Sequence, residues 1–148
     1  MGTHQSKPFA IMHVAARTYT IWCDGKQLRV PLPSAIFAMF GDNCYLFAKK
    51  EDSFAPTQTL FHFPLPNINS NGLICFGTYD KPASVTDTFN LFHQSSFNHH
   101  HVNEKSRKFP TDVRRLLSQL DGKKKFPLTD LISLDKTADE IFARYLAR

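Results

Sequence analysis

The first half of the chain, from Phe9 to about Phe63, carries short apolar runs separated by turn residues. β-branched and aromatic side chains dominate these runs, a composition typical of strands rather than helices. Consecutive short strands joined by tight turns favour antiparallel pairing of neighbours. We therefore predict an antiparallel β-meander with strands at 19–22, 27–30, 35–40, 44–48 and 59–63.

Turn chemistry marks the first hairpin of this meander. Asp24-Gly25 separates two apolar runs, and Asp-Gly is favoured in two-residue hairpin turns because both residues tolerate positive φ. Pro31 and Pro33 each lack a backbone donor, so we expect the second strand to end before them. The polar stretch 49–58 contains a proline and predicts a loop.

Helical spacing replaces the strand pattern in the second half. Ser84 begins a capping-box pattern that reaches Asp87, which predicts a helix start. Pro110 lies where a second helix begins, and Asp121-Gly122 supplies its stop. Strands followed by helices predict the α+β class, with helices packed on a sheet. The expected apolar helix faces are Val85, Phe89 and Phe92; Val113, Leu116, Leu117 and Leu120; and Ala138, Ile141, Phe142 and Tyr145.

Length and composition narrow the class of protein. The chain has 148 residues, of which 42% are hydrophobic, and a net charge of +5. This length suits one domain with its own core, and the 14 phenylalanines exclude a disordered composition. No apolar run approaches the ~20 residues of a membrane span, and no secretory signal pattern opens the sequence. We expect a cytoplasmic protein that is not associated with membranes.

Three cysteines, an odd number at long spacings, form neither a disulfide framework nor a paired zinc-ligand pattern. They fit a reducing compartment. Cys23 and Cys44 lie in predicted strand surroundings, where a free cysteine usually acts as a small buried hydrophobe. We expect both in the core.

Cys75 lies in a different setting, the irregular segment 64–77. Two prolines in this segment exclude a helix or a central strand. The turn Asn69–Gly72 follows, and its Asn-Gly pair supports positive φ. A small side chain held just past such a turn, on a rigid non-helical loop, is well placed to act as a nucleophile.

This segment resembles the active-site loop of ubiquitin-conjugating enzymes, the E2 family. That loop carries His-Pro-Asn, an Asn/Gly-rich turn, an apolar pair and the catalytic cysteine. Here Leu65-Pro66-Asn67 occupies the first position, and Asn67 precedes Cys75 by eight residues, as in the family. Leu65 departs from the family's histidine, and the long first helix of eukaryotic members is not evident in residues 1–17.

A closer resemblance is to a bacterial E2-like family, prokaryotic E2 family D, typified by protein B of the plasmid-associated PRTRC system. The resemblance covers roughly positions 29 to 132. It is carried by Tyr45-Leu46-Phe47-Ala48, Thr59-Leu60-Phe61, Ile74-Cys75-Phe76-Gly77 and Ser96-Phe97-Asn98-His99.

The resemblance implies an α+β ubiquitin-conjugating-enzyme (E2/UBC)-like fold. It implies a single domain over 1–148, with a core at about 10–132 and a C-terminal helix at about 135–147. Cys75 would carry a ubiquitin-like protein as a thioester, and Asn67 would donate to the oxyanion or hold the loop. The implied partners are an E1-like adenylating enzyme, the ubiquitin-like protein and an acceptor protein, with no cofactor.

The run His99-His100-His101 is a second candidate for chemistry. Adjacent histidines do not all face one point in a helix or strand, so we expect no metal site from the run alone. Imidazole titrates near neutral pH, which suits a base toward an acceptor amine. His99 and His100 are the candidates for that role, and a polar loop without catalytic function is the alternative.

A basic stretch covers residues 105–125. It is either a solvated face, a surface for an acidic protein or a phosphate-binding surface for nucleic acid. Its members are Lys105, Arg107, Lys108, Arg114, Arg115, Lys123, Lys124 and Lys125.

Three alternatives to a thioester carrier therefore stay open. The first is a catalytically inactive E2-fold module that binds a ubiquitin-like partner, and the second is a nucleic-acid-binding domain. The third is a Cys-His hydrolase, which requires an acid that orients the histidine, and no such pattern is visible.

Overall fold

The computed structural model describes residues 9–53, 55–75 and 84–146. In these residues a run of strands comes first, and helices follow with two further strands between them, an α+β arrangement. Helices α1 to α3 are Val85–Gln94, Val113–Leu120 and Ala138–Leu146. Strands β1 to β8 are Phe9–Val14, Arg17–Cys23, Lys26–Leu32, Ser34–Phe40, Asn43–Lys49, Thr59–His62, Ser96–Phe97 and Ser133–Thr137.

The strands form two sheets instead of one continuous meander. A five-stranded sheet has the order β1-β4-β5-β6-β8, and a three-stranded sheet has the order β3-β2-β7. All pairs are antiparallel except β2 with the two-residue strand β7. The predicted meander is correct for β4-β5-β6 and wrong before it, because β1 pairs with β4 and the β2–β3 hairpin lies in the other sheet. β4 is buried along almost its whole length, so it needs neighbours on both edges and cover on both faces.

The predicted β2–β3 hairpin is confirmed. Cys23 pairs with Lys26 across the turn, and Asp24 and Gly25 have φ values of 51° and 78°, as a two-residue turn with positive φ requires. β3 continues through Pro31 to Leu32, beyond the expected end. It is an edge strand, where a proline nitrogen can face away from the ladder.

Two apolar clusters cover the two faces of the five-stranded sheet. The first lies between the sheets and includes residues from α1 and α2, such as Phe89 and Leu117. The second lies on the opposite face and joins β4 and β5 to α3 through Phe47, Ile141 and Phe142. The sheet is therefore the central layer of the fold, with helices on both faces.

The predicted helices are present, with shifted ends. The Ser84 hydroxyl accepts a hydrogen bond of 3.0 Å from the Asp87 N–H, the expected cap of α1. α2 begins at Val113, three residues after Pro110, because the Asp112 side chain supplies its cap. Val85 of the expected apolar faces is partly buried against the first core cluster, and the other members whose side chains the structure describes are buried. The side chain of Tyr145 lies outside the described residues.

The C-terminal segment contains a strand that the sequence pattern did not indicate. Residues Ser133–Thr137 pair with β6, so α3 begins at Ala138 instead of near 135. In the part of the chain that the structure describes, no helix is long and apolar enough to cross a membrane.

Candidate active site around Cys75

Residues 67–75, here called the cysteine hairpin, form a short antiparallel ladder. Ile68 and Ile74 are bridged, and the Cys75 N–H donates to the Asn67 carbonyl at 2.8 Å. The Asn69 N–H donates to the Leu73 carbonyl at 2.9 Å. Cys75 is thus fixed by its backbone at the end of the ladder, as the prolines and the turn predicted.

The cysteine hairpin is attached to the central sheet. The Ile74 N–H donates to the Cys44 carbonyl at 2.8 Å, and the Leu46 N–H donates to the Gly72 carbonyl at 2.9 Å. β6 pairs only with the far end of β5, at Phe47 and Ala48. The hairpin therefore satisfies backbone groups of β5 that β6 leaves unpaired.

A side chain and a glycine shape the turn of the cysteine hairpin. The Asn69 Oδ1 accepts hydrogen bonds from the N–H groups of Asn71 and Leu73, at 2.8 and 3.1 Å. Gly72 has φ of 87°, a conformation that costs glycine little. It lies directly against the buried ring of Phe47, so the turn rests on the second apolar cluster.

The three cysteines differ in exposure. Cys23 and Cys44 are 4% and 1% exposed, which confirms that both belong to the core. Burial raises the pKa of Cys23 to about 11, so it is a poor nucleophile at neutral pH. Cys75, in contrast, is exposed. Phe76 and Gly77, which extend the motif, lie outside the described residues.

Asn67 joins the cysteine hairpin to the histidine run. Its carbonyl accepts from Cys75, and its own N–H donates to the His100 carbonyl at 2.8 Å. Its φ of 65° lies in the left-handed region that asparagine tolerates better than most residues. Leu65, where the resemblance to E2 enzymes would place a histidine, is 0% exposed and belongs to the first cluster. Apolar packing therefore supports this loop.

All three side chains of the histidine run are exposed. The ring centroids of His99 and His100 are 4.3 Å apart, and the His100 N–H donates to the Asn98 Oδ1 at 3.0 Å. The run thus reaches the cysteine hairpin through the backbone contact with Asn67. Among the described residues, no three His, Cys, Asp or Glu side chains converge as a metal site would require.

Lys105 is buried beside the hairpin, a position that the sequence did not predict for this member of the basic stretch. It is 3% exposed, and its Nζ donates to the carbonyls of Leu65, Ile68 and His101 at 2.7, 2.5 and 2.5 Å. Burial lowers its pKa to about 7, while attraction to Cys75 acts in the opposite direction. The sequence did not predict this burial, because lysine is seldom buried and a run of basic residues is typical of a solvent-exposed surface.

An open cleft of about 350 Å³ lies beside the turn of the hairpin. His62 lines one side of it, and Asn69, Ser70, His101 and Lys105 line the rest with their neighbours. Burial lowers the pKa of His62, Lys105 lowers it further and Glu104 raises it. Burial and the neighbouring Lys105 therefore both favour the neutral form of His62.

The basic stretch 105–125 is not one surface. Lys105 is buried, and Arg114 forms ion pairs with Asp112 and Asp24 at 2.6 and 3.1 Å. An uninterrupted phosphate-binding stripe is therefore absent from this segment. The exposed members are Arg107, Lys108, Arg115, Lys123, Lys124 and Lys125.

Comparisons with known proteins identify the family of the chain. The model of prokaryotic E2 family D matches residues 4–134. No curated protein and no solved structure matches the chain. The family match includes the cysteine hairpin, Lys105 and the histidine run, and it spans most of the sequence. The chain therefore belongs to prokaryotic E2 family D.

Proposed function

We propose that the protein is an E2-like conjugating enzyme that carries a ubiquitin-like protein as a thioester on Cys75. E2-like families in general interact with E1-like enzymes and ubiquitin-like proteins. The observation that carries the proposal is the exposed Cys75, held by backbone hydrogen bonds on a hairpin of the central sheet. The mixed helices and antiparallel sheets are compatible with a ubiquitin-conjugating-enzyme-like fold. Three free thiols fit a reducing cytoplasm.

The first step is a thiol exchange. The Cys75 thiolate attacks the carbonyl carbon of the thioester that joins the ubiquitin-like C-terminus to the E1-like enzyme. The tetrahedral intermediate then expels the E1 thiolate, so one carbon–sulfur bond forms as another breaks. An exposed cysteine suits this role, because both the E1-like enzyme and the later acceptor must reach its sulfur.

The second step passes the ubiquitin-like protein to an amine of an acceptor protein. The amine nitrogen attacks the thioester carbon, its proton moves to a base and the Cys75 thiolate leaves. An amide is the product, and the carrier regains its thiol. His99 or His100 is the proposed base, supported by exposure and by a backbone link to Asn67. Imidazole exchanges protons readily near pH 7.

Asn67 is the proposed support of the oxyanion and of the loop. The resemblance to E2 enzymes favours its side-chain amide as a donor to the tetrahedral oxygen. Its backbone joins the Cys75 segment to the histidine run. Asn67→Ala should slow both transfers, and Asn67→Gly, which tolerates the same φ, separates loss of the amide from loss of the backbone conformation.

The deciding experiment is a thioester assay. The protein is incubated with ATP, its cognate E1-like enzyme and its ubiquitin-like protein, and the products are separated on a non-reducing gel. We expect an adduct that thiol reagents remove from the wild-type protein. Cys75→Ser should abolish the adduct or convert it to a thiol-resistant ester.

Cys23→Ala serves as the control, because it removes a buried thiol and should leave the adduct unchanged. An adduct that persists in Cys75→Ser but disappears in Cys23→Ala would contradict the assignment of Cys75. If the ubiquitin-like protein binds without forming any adduct, the inactive binding module is favoured over the thioester carrier. Salt-dependent DNA binding weakened by Lys123→Ala, Lys124→Ala and Lys125→Ala together would favour the nucleic-acid alternative.

A further inference from the structure

Two open clefts share residues 123–125, here called the lysine ridge. The first cleft has a volume of about 330 Å³ and the second of about 490 Å³, and Lys124 and Lys125 line both. Volumes in this range are typical of binding sites in proteins. Among the described residues, neither cleft shares a lining residue with the cleft beside the cysteine hairpin. The two clefts are therefore not part of the candidate active site.

Hydrogen bonds fix the segment that carries the lysine ridge at both of its ends. The Gly122 N–H donates to the Arg29 carbonyl at 2.9 Å, and the Arg29 N–H donates to the Asp121 Oδ1 at 2.9 Å. Beyond the ridge, the Asp130 Oδ1 accepts from the Lys108 N–H at 2.8 Å. The walls of both clefts are thus held in place by the fold, which lowers the entropy that a ligand loses by ordering them.

Basic side chains surround both clefts. Lys50, Lys124 and Lys125 line the first cleft, and all three are exposed. Lys108 and Lys123 join the two shared lysines around the second cleft. A cleft lined by charges of one sign attracts ligands of the opposite sign. The surface is therefore suited to an anionic partner.

The carboxylates of these clefts already have partners within the protein. Among the described lining residues, each cleft contains one, Asp52 in the first and Asp130 in the second. Asp52 accepts from the Ser34 hydroxyl and from the Ala16 N–H. Asp130 accepts from the Ser106 hydroxyl at 2.5 Å. The lysines outnumber the carboxylates in both clefts, so the local charge is positive.

Apolar residues also line both clefts. Leu32 and Pro33 lie in the wall of the first cleft, together with Leu128, which is 38% exposed. Leu116 and Leu120 line the second. The phosphates of a nucleic acid would contact the lysines and leave this apolar surface unfilled. A peptide that carries both carboxylates and apolar side chains matches both features.

We propose that the two clefts and the lysine ridge bind an acidic peptide segment of a partner protein, with its apolar side chains in the clefts and its carboxylates against the lysines. Charge complementarity together with the apolar lining selects this occupant. The inference goes beyond the proposed function, because it requires no thioester on Cys75. It also divides the basic stretch 105–125 into members that line the clefts and members, such as Arg107 and Arg115, that do not.

The test is fluorescence anisotropy of labelled peptides mixed with the full chain. The probes are glutamate–leucine peptides of about ten residues, which extend to roughly 33 Å, with the leucines at varied spacing. One comparison set replaces leucine by serine, and another replaces glutamate by glutamine. We expect the glutamate–leucine peptides to bind most tightly, with an affinity that falls as the salt concentration rises, because exposed charges are screened.

Charge reversal identifies the surface that the peptides use. Lys124→Glu and Lys125→Glu together should weaken binding of the glutamate–leucine peptides by at least about tenfold, because like charges then face each other. Lys26→Glu combined with Arg115→Glu is the matched control. It changes the net charge by the same amount, at exposed residues that line neither cleft. This control should weaken binding by less than about threefold, because distant surface charges are screened.

A separate variant tests the apolar part of the surface. Leu128→Ser changes an exposed side chain of the first cleft, so the fold should be retained. We expect it to weaken binding of the glutamate–leucine peptides by at least about threefold. Binding of the glutamate–serine peptides should be unchanged, because they place no apolar side chain against Leu128.

Three results would overturn the inference. The first is the absence of binding by every glutamate–leucine peptide, and the second is an equal loss of affinity in the two double variants. The third is tighter binding of mixed-sequence duplex DNA than of any peptide, lost in the Lys124→Glu and Lys125→Glu protein, which would favour nucleic acid as the partner. The assay contains no E1-like enzyme, so a negative thioester assay would reject the proposed function and leave this inference intact.

Discussion

Gly72→Ala should destabilise the fold and the cysteine hairpin together. Gly72 has φ of 87°, and an added methyl group would lie within 3.0 Å of three carbon atoms of the Phe47 ring. Carbon atoms pack best at about 3.5–4.0 Å. Phe47 is 1% exposed and packs against Phe142 of α3, so its ring has little room to move. The substitution therefore combines an unfavourable backbone conformation with overpacking.

The two contributions can be separated by magnitude. Left-handed φ costs a residue with Cβ about 1–2 kcal/mol, and overpacking in a dense core costs about 1–3 kcal/mol more. We expect Gly72→Ala to lower the free energy of unfolding by about 2–5 kcal/mol. Gly25→Ala is the matched control, because Gly25 has φ of 78° but no atom within 4 Å of the added methyl group. It should lose only about 1–2 kcal/mol.

Urea denaturation followed by circular dichroism measures both variants. The difference between the two losses isolates the contact with Phe47. If the losses in Gly72→Ala and Gly25→Ala agree within about 0.5 kcal/mol, the steric argument is refuted, because a difference of that size is common even for surface substitutions.

Three further predictions concern stability. Burial lowers the pKa of His93 from 6.5 to about 4. Between pH 4 and pH 6.5, His93 is therefore protonated in the unfolded chain and mainly neutral in the folded protein. The free energy of unfolding should fall by up to about 3 kcal/mol as the pH decreases from 6.5 to 4, and His93→Phe should flatten this dependence; an equally steep profile in the variant would contradict it. Leu65→Ala should cost about 2–5 kcal/mol in urea denaturation because it opens a cavity in the core, and a loss below 1 kcal/mol would argue against packing support of the loop. Arg114→Ala should cost less than about 1 kcal/mol in the same assay, because its ion pairs are partly exposed, and a larger loss would indicate an additional role.

Local signals in the sequence predicted local structure well. The Asp24-Gly25 turn and the Ser84 cap are each decided within a few residues, by the φ preference of the turn and by one side-chain oxygen. The apolar face of α2 follows from spacing alone, since residues three and four apart share one side of a helix. The turn before Cys75 was also predictable, because Asn69 and Gly72 favour it without help from distant residues.

Long-range pairing was not predictable in the same way. The predicted meander is wrong at two points: β1 pairs with β4, and the β2–β3 hairpin belongs to the other sheet. The pairing of strands depends on how much apolar surface the whole sheet buries. The pattern of a single strand shows only which of its own faces is apolar, and so it does not identify the partner strand. β8 was missed for the same reason: its residues are only partly buried, and its identity as a strand depends on pairing with β6.

The sequence by itself determined the turns, the helices, the two core cysteines and the candidate cysteine, because these depend on near neighbours along the chain. Tertiary structure decided the surroundings of Cys75. It attached the hairpin to β5, joined Asn67 to the histidine run and placed Lys105 among three carbonyls. Except for the local bond from Lys105 to His101, these contacts connect residues that are about 25 to 40 positions apart, and loop closure over such distances is favourable only when the whole core forms.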